Sequence, residues 1–247
     1  MIDVVFISDL HLHPEDKNIK YRFDQFIVWA KNSVKNIYIL GDFFHAWAGD
    51  DSMDEWSMGI AKQLHSLSVS GISLYYLHGN RDFLLGDVFA KHAGWKVLTE
   101  PAVINLGKEK IMLAHGDRYC IRDKAHQRFR LLTRNKLFTL LFLSLPLKYR
   151  ERLVGKVRAL SQSNHTKSVD EMDVVQGAVI KHLLKYKVAT LIHGHTHKPG
   201  LNVYNSQAQE FKRYVLSDWD DNPQLLCYDS TKGVYFAQNR FEELRNA

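Results

Sequence analysis

Five short motifs carry residue types that bind metal ions: Asp9-Leu10-His11, Gly41-Asp42, Gly79-Asn80-Arg81-Asp82, His115-Gly116-Asp117 and Gly194-His195-Thr196-His197. Carboxylate, amide oxygen and imidazole are the donors, and no cysteine is among them. Such a set admits Mn, Fe, Co, Zn or Mg and argues against a thiolate-rich structural zinc. Asp9, His11, Asp42, Asn80, His115, His195 and His197 are more donors than one ion needs. A carboxylate such as Asp42 can offer one oxygen to each of two ions. The set therefore fits two metals roughly 3.5–4 Å apart, the arrangement used for in-line phosphoryl displacement.

The flanking sequence says what must hold these residues. Val4-Val5-Phe6-Ile7, Ile37-Tyr38-Ile39-Leu40, Leu74-Tyr75-Tyr76-Leu77 and Ile111-Met112-Leu113-Ala114 each run directly into a motif, and Val188 to Ile192 precedes the last one. Short apolar, β-branched or aromatic runs bounded by glycine turns read as buried strands, so the polar residues fall at strand carboxyl ends. The pattern predicts strands near 4–8, 36–40, 73–77, 96–98, 102–105, 110–114 and 188–192, and helices near 22–33, 54–70 and 84–92. Helices are expected to fill about 122–186, with a β-rich part at the end. The chain has 247 residues and is 45% hydrophobic, enough for a substantial core, and reads as one domain, 1–247, with an insertion. Cys120 and Cys227 are too few and too far apart for a disulfide framework, which suits a reducing compartment. The first residues enter a strand without a signal-peptide pattern, so secretion is not expected.

In their order and residues these motifs resemble the calcineurin-like metallophosphoesterases, whose signatures are D-x-H, G-D, G-N-[HR]-[DE], H-G and G-H-x-H. The longer stretches Phe6 to Leu12, His78 to Gly86 and Ile192 to Pro199 look like the branch that hydrolyses UDP-2,3-diacylglucosamine in lipid A synthesis, and the likeness covers nearly the whole chain. The resemblance implies a four-layer α/β/β/α sandwich with a helical lid. It implies one metal on Asp9, His11, Asp42 and His197 and a second on Asp42, Asn80, His115 and His195, with Asp42 bridging and Mn the metal the family favours. It also implies catalytic roles for Asp42, Asn80, His115 and Arg81. Substrate contacts are implied at Asn80, Arg81, Asp123, Ser161, Asn164, Lys167 and His195. The implied reaction is attack of metal-activated water on the α-phosphorus, giving UMP and 2,3-diacylglucosamine 1-phosphate.

The net charge is +6, yet Arg118 to Arg158 holds twelve Lys or Arg against Asp123 and Glu151, a surplus of +10 that leaves −4 elsewhere. Within this segment lies the apolar run Leu137 to Leu145, closed by Pro146 and flanked by Arg134, Lys136, Lys148, Arg150 and Arg152. The run is about half the length a bilayer crossing needs. An apolar stripe edged by cations suits a helix lying in an anionic membrane interface. The same stripe also suits a helical hairpin buried against the body, and the resemblance makes it a lid over acyl chains. Its residues are interleaved with aliphatic rather than aromatic ones, which favours lipid over nucleic acid. A monomer attached peripherally to the cytoplasmic face of the inner membrane is the expectation.

Single motifs carry little. Gly41-Asp42 and Gly79-Asn80 alone are ordinary turn sequences, and the other nine histidines, including His45, His126 and His193, are assigned to surface, helix or turn roles. Asp50-Asp51 reads as a loop rather than a metal pair, and Asp82 and Asp117 as partners that orient His or Arg. Two other functions share much of this pattern: a soluble nucleotide phosphodiesterase, which gives no reason for Leu137 to Leu145, and a metal-bearing scaffold, which usually loses ligands.

Overall fold

The computed structural model describes residues 1–163, 169–220 and 223–237, apart from the side chains of 161–163, 169 and 170. Two sheets stack face to face. The first has six strands in the order β11 (Gly233–Phe236), β10 (Leu226–Asp229), β1 (Ile2–Ile7), β2 (Val34–Ile39), β3 (Ser73–Tyr76) and β4 (Trp95–Val97). β1 to β4 run parallel, with Phe6 opposite Tyr38 and Tyr38 opposite Tyr75. The second sheet follows the order β5 (Ala102–Leu106), β6 (Glu109–Leu113), β7 (Thr190–His193), β9 (Gln209–Val215) and β8 (Gly200–Ser206), with β6, β7 and β9 parallel.

Helices α1 (Lys17–Ser33), α2 (Glu55–Val69) and α3 (Asp87–Ala93) connect the parallel strands and cover the first sheet. Side chains alternate across each strand. Val5, Ile7, Ile37 and Ile39 therefore meet Phe23, Phe26, Ile60 and Phe89 on the helix side. Their neighbours Val4, Phe6, Leu40 and Leu77 meet Ile111, Leu113, Ile192 and Leu216 of the second sheet. On the far face Met112 and Leu191 pack with Val179 and Leu183 of α8 (Gln176–Tyr186). Three apolar layers between four layers of structure make the α/β/β/α sandwich. Strands buried on both faces also explain why the runs are continuously apolar. Cys120 and Cys227 are both buried free thiols.

Two helix starts differ from the sequence pattern. α1 begins at Lys17 rather than 22, because the Asp16 carboxylate accepts the N–H groups of Asn18 (3.1 Å) and Ile19 (3.0 Å) and Ile19 extends the buried stripe. α3 begins at Asp87 rather than 84, and its cap comes from elsewhere. Asp50 accepts Gly86 N–H at 2.8 Å, Val88 N–H at 2.9 Å and Phe89 N–H at 3.1 Å.

The segment after β6 forms α4 (Lys124–Thr133), α5 (Lys136–Leu143), α6 (Leu147–Ser163) and α7 (Val169–Met172), while α8 serves as an outer layer of the sandwich. Phe142 packs on the first core, and Leu137, Leu140 and Leu141 stay 64%, 68% and 61% exposed. Arg150 is buried, ion-paired with Asp51 and donating to the Leu145 carbonyl at 2.9 Å. Arg134 donates to the carbonyls of His78 (3.0 Å) and Gly79 (3.1 Å). Two cations expected to edge the apolar stripe thus pin the helices to the body instead. No described helix is long and apolar enough to cross a membrane.

Candidate active site

The parallel strands end on one edge, and there the backbone is unusual. Asp9, His11, Asp42, His195 and His197 all have left-handed φ, between 50° and 69°. Such a conformation costs a non-glycine residue on the order of 1 kcal/mol and survives only where neighbours fix it. Asp9 N–H donates to the Gly41 carbonyl (3.0 Å) and His11 N–H to the Asp42 carbonyl (2.9 Å). His195 N–H donates to Asp9 Oδ2 at 2.8 Å. Each strand end thus braces the next, and two motifs 186 residues apart are joined directly.

Glycines permit the close approach. A Cβ on Gly41, whose φ is +91°, would lie 2.6 Å from Gly79 Cα and 2.9 Å from His115 Nδ1. A Cβ on Gly79 would overlap the Asp42 carboxylate, and one on Gly194 would overlap Asp9. Gly41-Asp42 and Gly79-Asn80 are therefore not the ordinary turns that either would suggest alone.

The side chains converge as the sequence predicts. Asp9, His11 and His197 place one donor atom each within 4.8 Å of one another, and so do Asp9, Asp42 and His115. Asp42 faces both sides: Oδ2 lies 3.3 Å from His11 Nε2, and Oδ1 lies 3.6 Å from His115 Nε2. Asn80 Oδ1 sits 2.9 Å from His115 Nε2, and the His195 ring stands 5.1 Å from that of His115. Arg81 reaches Asp42 Oδ2 with Nε at 3.3 Å and Oδ1 with its backbone N–H at 2.8 Å.

Burial would by itself raise both carboxylates, but His197 and His115 hold Asp9, and His115 and His11 hold Asp42, well below the usual range. Burial would lower His115, yet Asp42 and Asp9 raise it to about 9; His197, despite burial, is raised to about 10 by Asp218 and Asp9. Burial and the adjacent His115 lower His195 to about 3, so it is a neutral imidazole. A cluster of anionic carboxylates that gathers protons onto its imidazoles is short of positive charge, as a cation site is. Asp9 Oδ1 is the sharpest sign. It is fully buried, has no hydrogen-bond partner among the described residues, and lies 3.4 Å from His197 Nε2 and 3.9 Å from His11 Nε2. An orphaned carboxylate oxygen beside two imidazoles fits a divalent metal by position and donor chemistry.

The supporting residues are partly new. His115 Nδ1 donates to the Leu40 carbonyl at 2.9 Å, which turns Nε2 toward the site. His197 Nδ1 lies 3.1 Å from Asp218, a residue no motif marks and one discoverable only by asking which carboxylate fixes that imidazole. Asp82 does not orient a His or Arg. It is buried and clamps loops, accepting N–H from Gly79 (2.8 Å), Phe43 (2.6 Å) and Asp42 (3.2 Å). Asp117 does face Arg130, at 3.2 Å, and His126, at 3.9 Å. His126, given only a surface, helix or turn role from sequence, has its ring 5.3 Å from that of His195, tilted by 33°, and lines the cavity over the site. His193 is buried and structural, lowered to about 3 by burial and Arg213, with Nδ1 donating to the Gly194 carbonyl.

That cavity, of about 360 Å³, is walled by Asp42, Asn80, Arg81, Asp123, His126, Arg158, Asp173, His195, His197 and Lys198 among others. Asp123 is buried and caps α4 through the His126 N–H at 3.0 Å. Of the expected substrate contacts, Asn164 and Lys167 lie outside the described residues, as does the side chain of Ser161.

Comparison with known proteins agrees with this geometry. Residues 2–199 match the calcineurin-like phosphoesterase family. A UDP-2,3-diacylglucosamine hydrolase of Stutzerimonas stutzeri is 41% identical over 227 residues, spanning 92% of this chain and 95% of that protein. One from Pseudomonas paraeruginosa is 42% identical over 230 residues, spanning 93% and 96%. With its motifs joined where the strands of both sheets end and its length matched nearly end to end, the chain belongs to the calcineurin-like phosphoesterases, a family of metal-dependent hydrolases, alongside the UDP-2,3-diacylglucosamine hydrolases.

Proposed function

We propose that this protein hydrolyses the pyrophosphate of UDP-2,3-diacylglucosamine to UMP and 2,3-diacylglucosamine 1-phosphate. In that reaction the bond from the α-phosphorus to the bridging oxygen breaks, and a water oxygen joins the α-phosphorus. Asp9, His11, Asp42 and His197 would hold one divalent metal and Asp42, Asn80, His115 and His195 a second, with Mn as the expected ion. Bound there, the metals supply a water of lowered pKa and positive charge against the phosphoryl oxygens.

The chain's own groups do the rest. Asp42 holds Arg81 at 3.3 Å, so the guanidinium stands beside the phosphate position, where a fixed cation opposes charge developing in the transition state. Asn80 and His115, 2.9 Å apart, fix that flank of the site. The observation that carries the reading is the convergence of five left-handed ligand candidates, Asp9 with its orphaned oxygen among them.

The insertion supports a lipid substrate. Exposed Leu137, Leu140 and Leu141 on α5, with Lys136, Lys148, Arg152 and Lys156 exposed nearby, suit a lid that receives acyl chains and rests peripherally on the anionic cytoplasmic face of the inner membrane. A monomer is the assembly this reading expects.

Purified protein incubated with Mn and UDP-2,3-diacylglucosamine should release UMP, and chelator should abolish release. Cleavage of a soluble phosphodiester without any UMP would transfer the site to soluble nucleotides. No reaction on either substrate with metal bound would leave a scaffold.

A further inference from the structure

The candidate site opens in two directions. One is the 360 Å³ cavity, whose wall includes Asp123, Arg158, Met172 and Asp173 from the segment between β6 and α8. The other is a groove of about 700 Å³ lined by His13, Glu15, Lys17, Asn18, His45 and Asp220, with no described residue of 122–186 along it. Arg81 and His197 line both, so the reacting phosphate belongs at the junction. We propose that the second groove is the subsite for the nucleoside half of the substrate, a neutral pyrimidine and its ribose. The proposal rests on the hydrolase reading above.

The two halves of the substrate have opposite needs. The acyl half requires apolar surface, and this chain exposes it on α5 and α6. Arg158 lines both the first cavity and a cleft in which Phe44, Trp47 and Trp56 face Val154 and Gly155 of α6. His13 and His45 form the wall between the cleft and the second groove, with ring centroids 5.2 Å apart at 64°. Beyond that wall the groove is polar.

Its charges select further. Glu15, Asp16 and Asp220 line it, as does Lys17, with Arg81 at the junction. Carboxylates disfavour a second phosphate or an acidic headgroup there. They do accept an imide N–H, while Lys17 and Asn18 can donate to the two carbonyls of a uracil-type base, and imidazole faces offer stacking. A phosphate held at Arg81 and a base lying toward Asn18 satisfy both ends.

The test uses the Mn-loaded full chain, wild type and the variants His13→Ala, Asn18→Ala and Lys17→Ala, none of them a candidate metal ligand. Inhibition of UMP-releasing turnover is measured with added UMP and, separately, with 2,3-diacylglucosamine 1-phosphate; UMP binding is also measured by calorimetry. The expected result is UMP inhibition and binding weakened about tenfold, the worth of one or two hydrogen bonds, with lipid-product inhibition unchanged. Unchanged UMP binding in all three variants would overturn the assignment, and so would a selective loss of lipid-product inhibition, which would reverse the halves. If the wild type releases no UMP, the hydrolase reading falls and takes the groove with it; if only the variants behave as wild type, the groove alone falls.

Discussion

Gly194→Ala isolates the position of one carboxylate. Gly194 does not have a left-handed φ, so its backbone tolerates alanine and the whole effect is steric. The new Cβ would overlap Asp9 Oδ2 and Ser8 Oγ and lie 2.8 Å from Ser8 Cβ. Asp9 cannot retreat freely, because Oδ2 is held by Ser8 Oγ at 2.6 Å and His195 N–H at 2.8 Å. Relieving the overlap needs a shift of about 1 Å, a displacement that typically costs about 100-fold in rate at a positioned site. Overpacking should also cost about 1–3 kcal/mol of stability, or about 2–12 °C in Tm for a domain this size. Turnover is read by UMP release and metal retention by equilibrium dialysis. Gly177→Ala is the control, since a Cβ there meets nothing within 4 Å. Gly194→Ala with metal content and turnover within about threefold of wild type, the range of neutral surface changes, would refute Asp9 as a fixed ligand.

Three further outcomes follow from the same geometry. Asp42→Ala should remove the carboxylate that faces both imidazoles, lowering bound metal and dropping turnover by orders of magnitude; normal metal content with near-normal rate would exclude bridging. Asp218→Asn should weaken metal retention about 10- to 100-fold, the usual effect of loosening a ligand's carboxylate partner, while Asp220→Asn should not. In the metal-free protein His115 and His197 are raised to about 9 and about 10, so both carry protons at pH 7, whereas a metal ligates neutral imidazole. Metal affinity should therefore climb as pH rises from 7 toward 9, with proton release on binding measurable in weakly buffered solution; pH-independent uptake would contradict the ligand assignment.

The site was largely legible in the sequence because its residues occupy strand ends, where apolar runs stop abruptly at glycine and a ligand. Parallel strands put the stops after β1, β2 and β3 on one edge of the first sheet and those after β6 and β7 on one edge of the second, so Asp9, Asp42 and Asn80 group by pattern, as do His115 and His197; the stacking of the two sheets then brings both groups together. What remained hidden is what depends on three-dimensional partners. Asp218 follows β9 in an irregular stretch, and only its 3.1 Å approach to His197 marks it. Asp82 lies within a motif yet clamps backbone amides, a role that residue type cannot distinguish from orienting a side chain. Arg150 and Arg134 look like surface cations until their partners on the body, Asp51 and the His78 carbonyl, are seen. The early start of α1 needed the Asp16 cap, which a stripe-based reading passes over.

The central claim is metal-dependent attack of water on the α-phosphorus. Hydrolysis of UDP-2,3-diacylglucosamine in ¹⁸O-labelled water, with Mn and with chelator, tests it most directly. The account predicts one labelled oxygen in the phosphate of UMP, none in 2,3-diacylglucosamine 1-phosphate, and no hydrolysis with chelator. Label in the lipid phosphate, or UMP formed equally without metal, would contradict it.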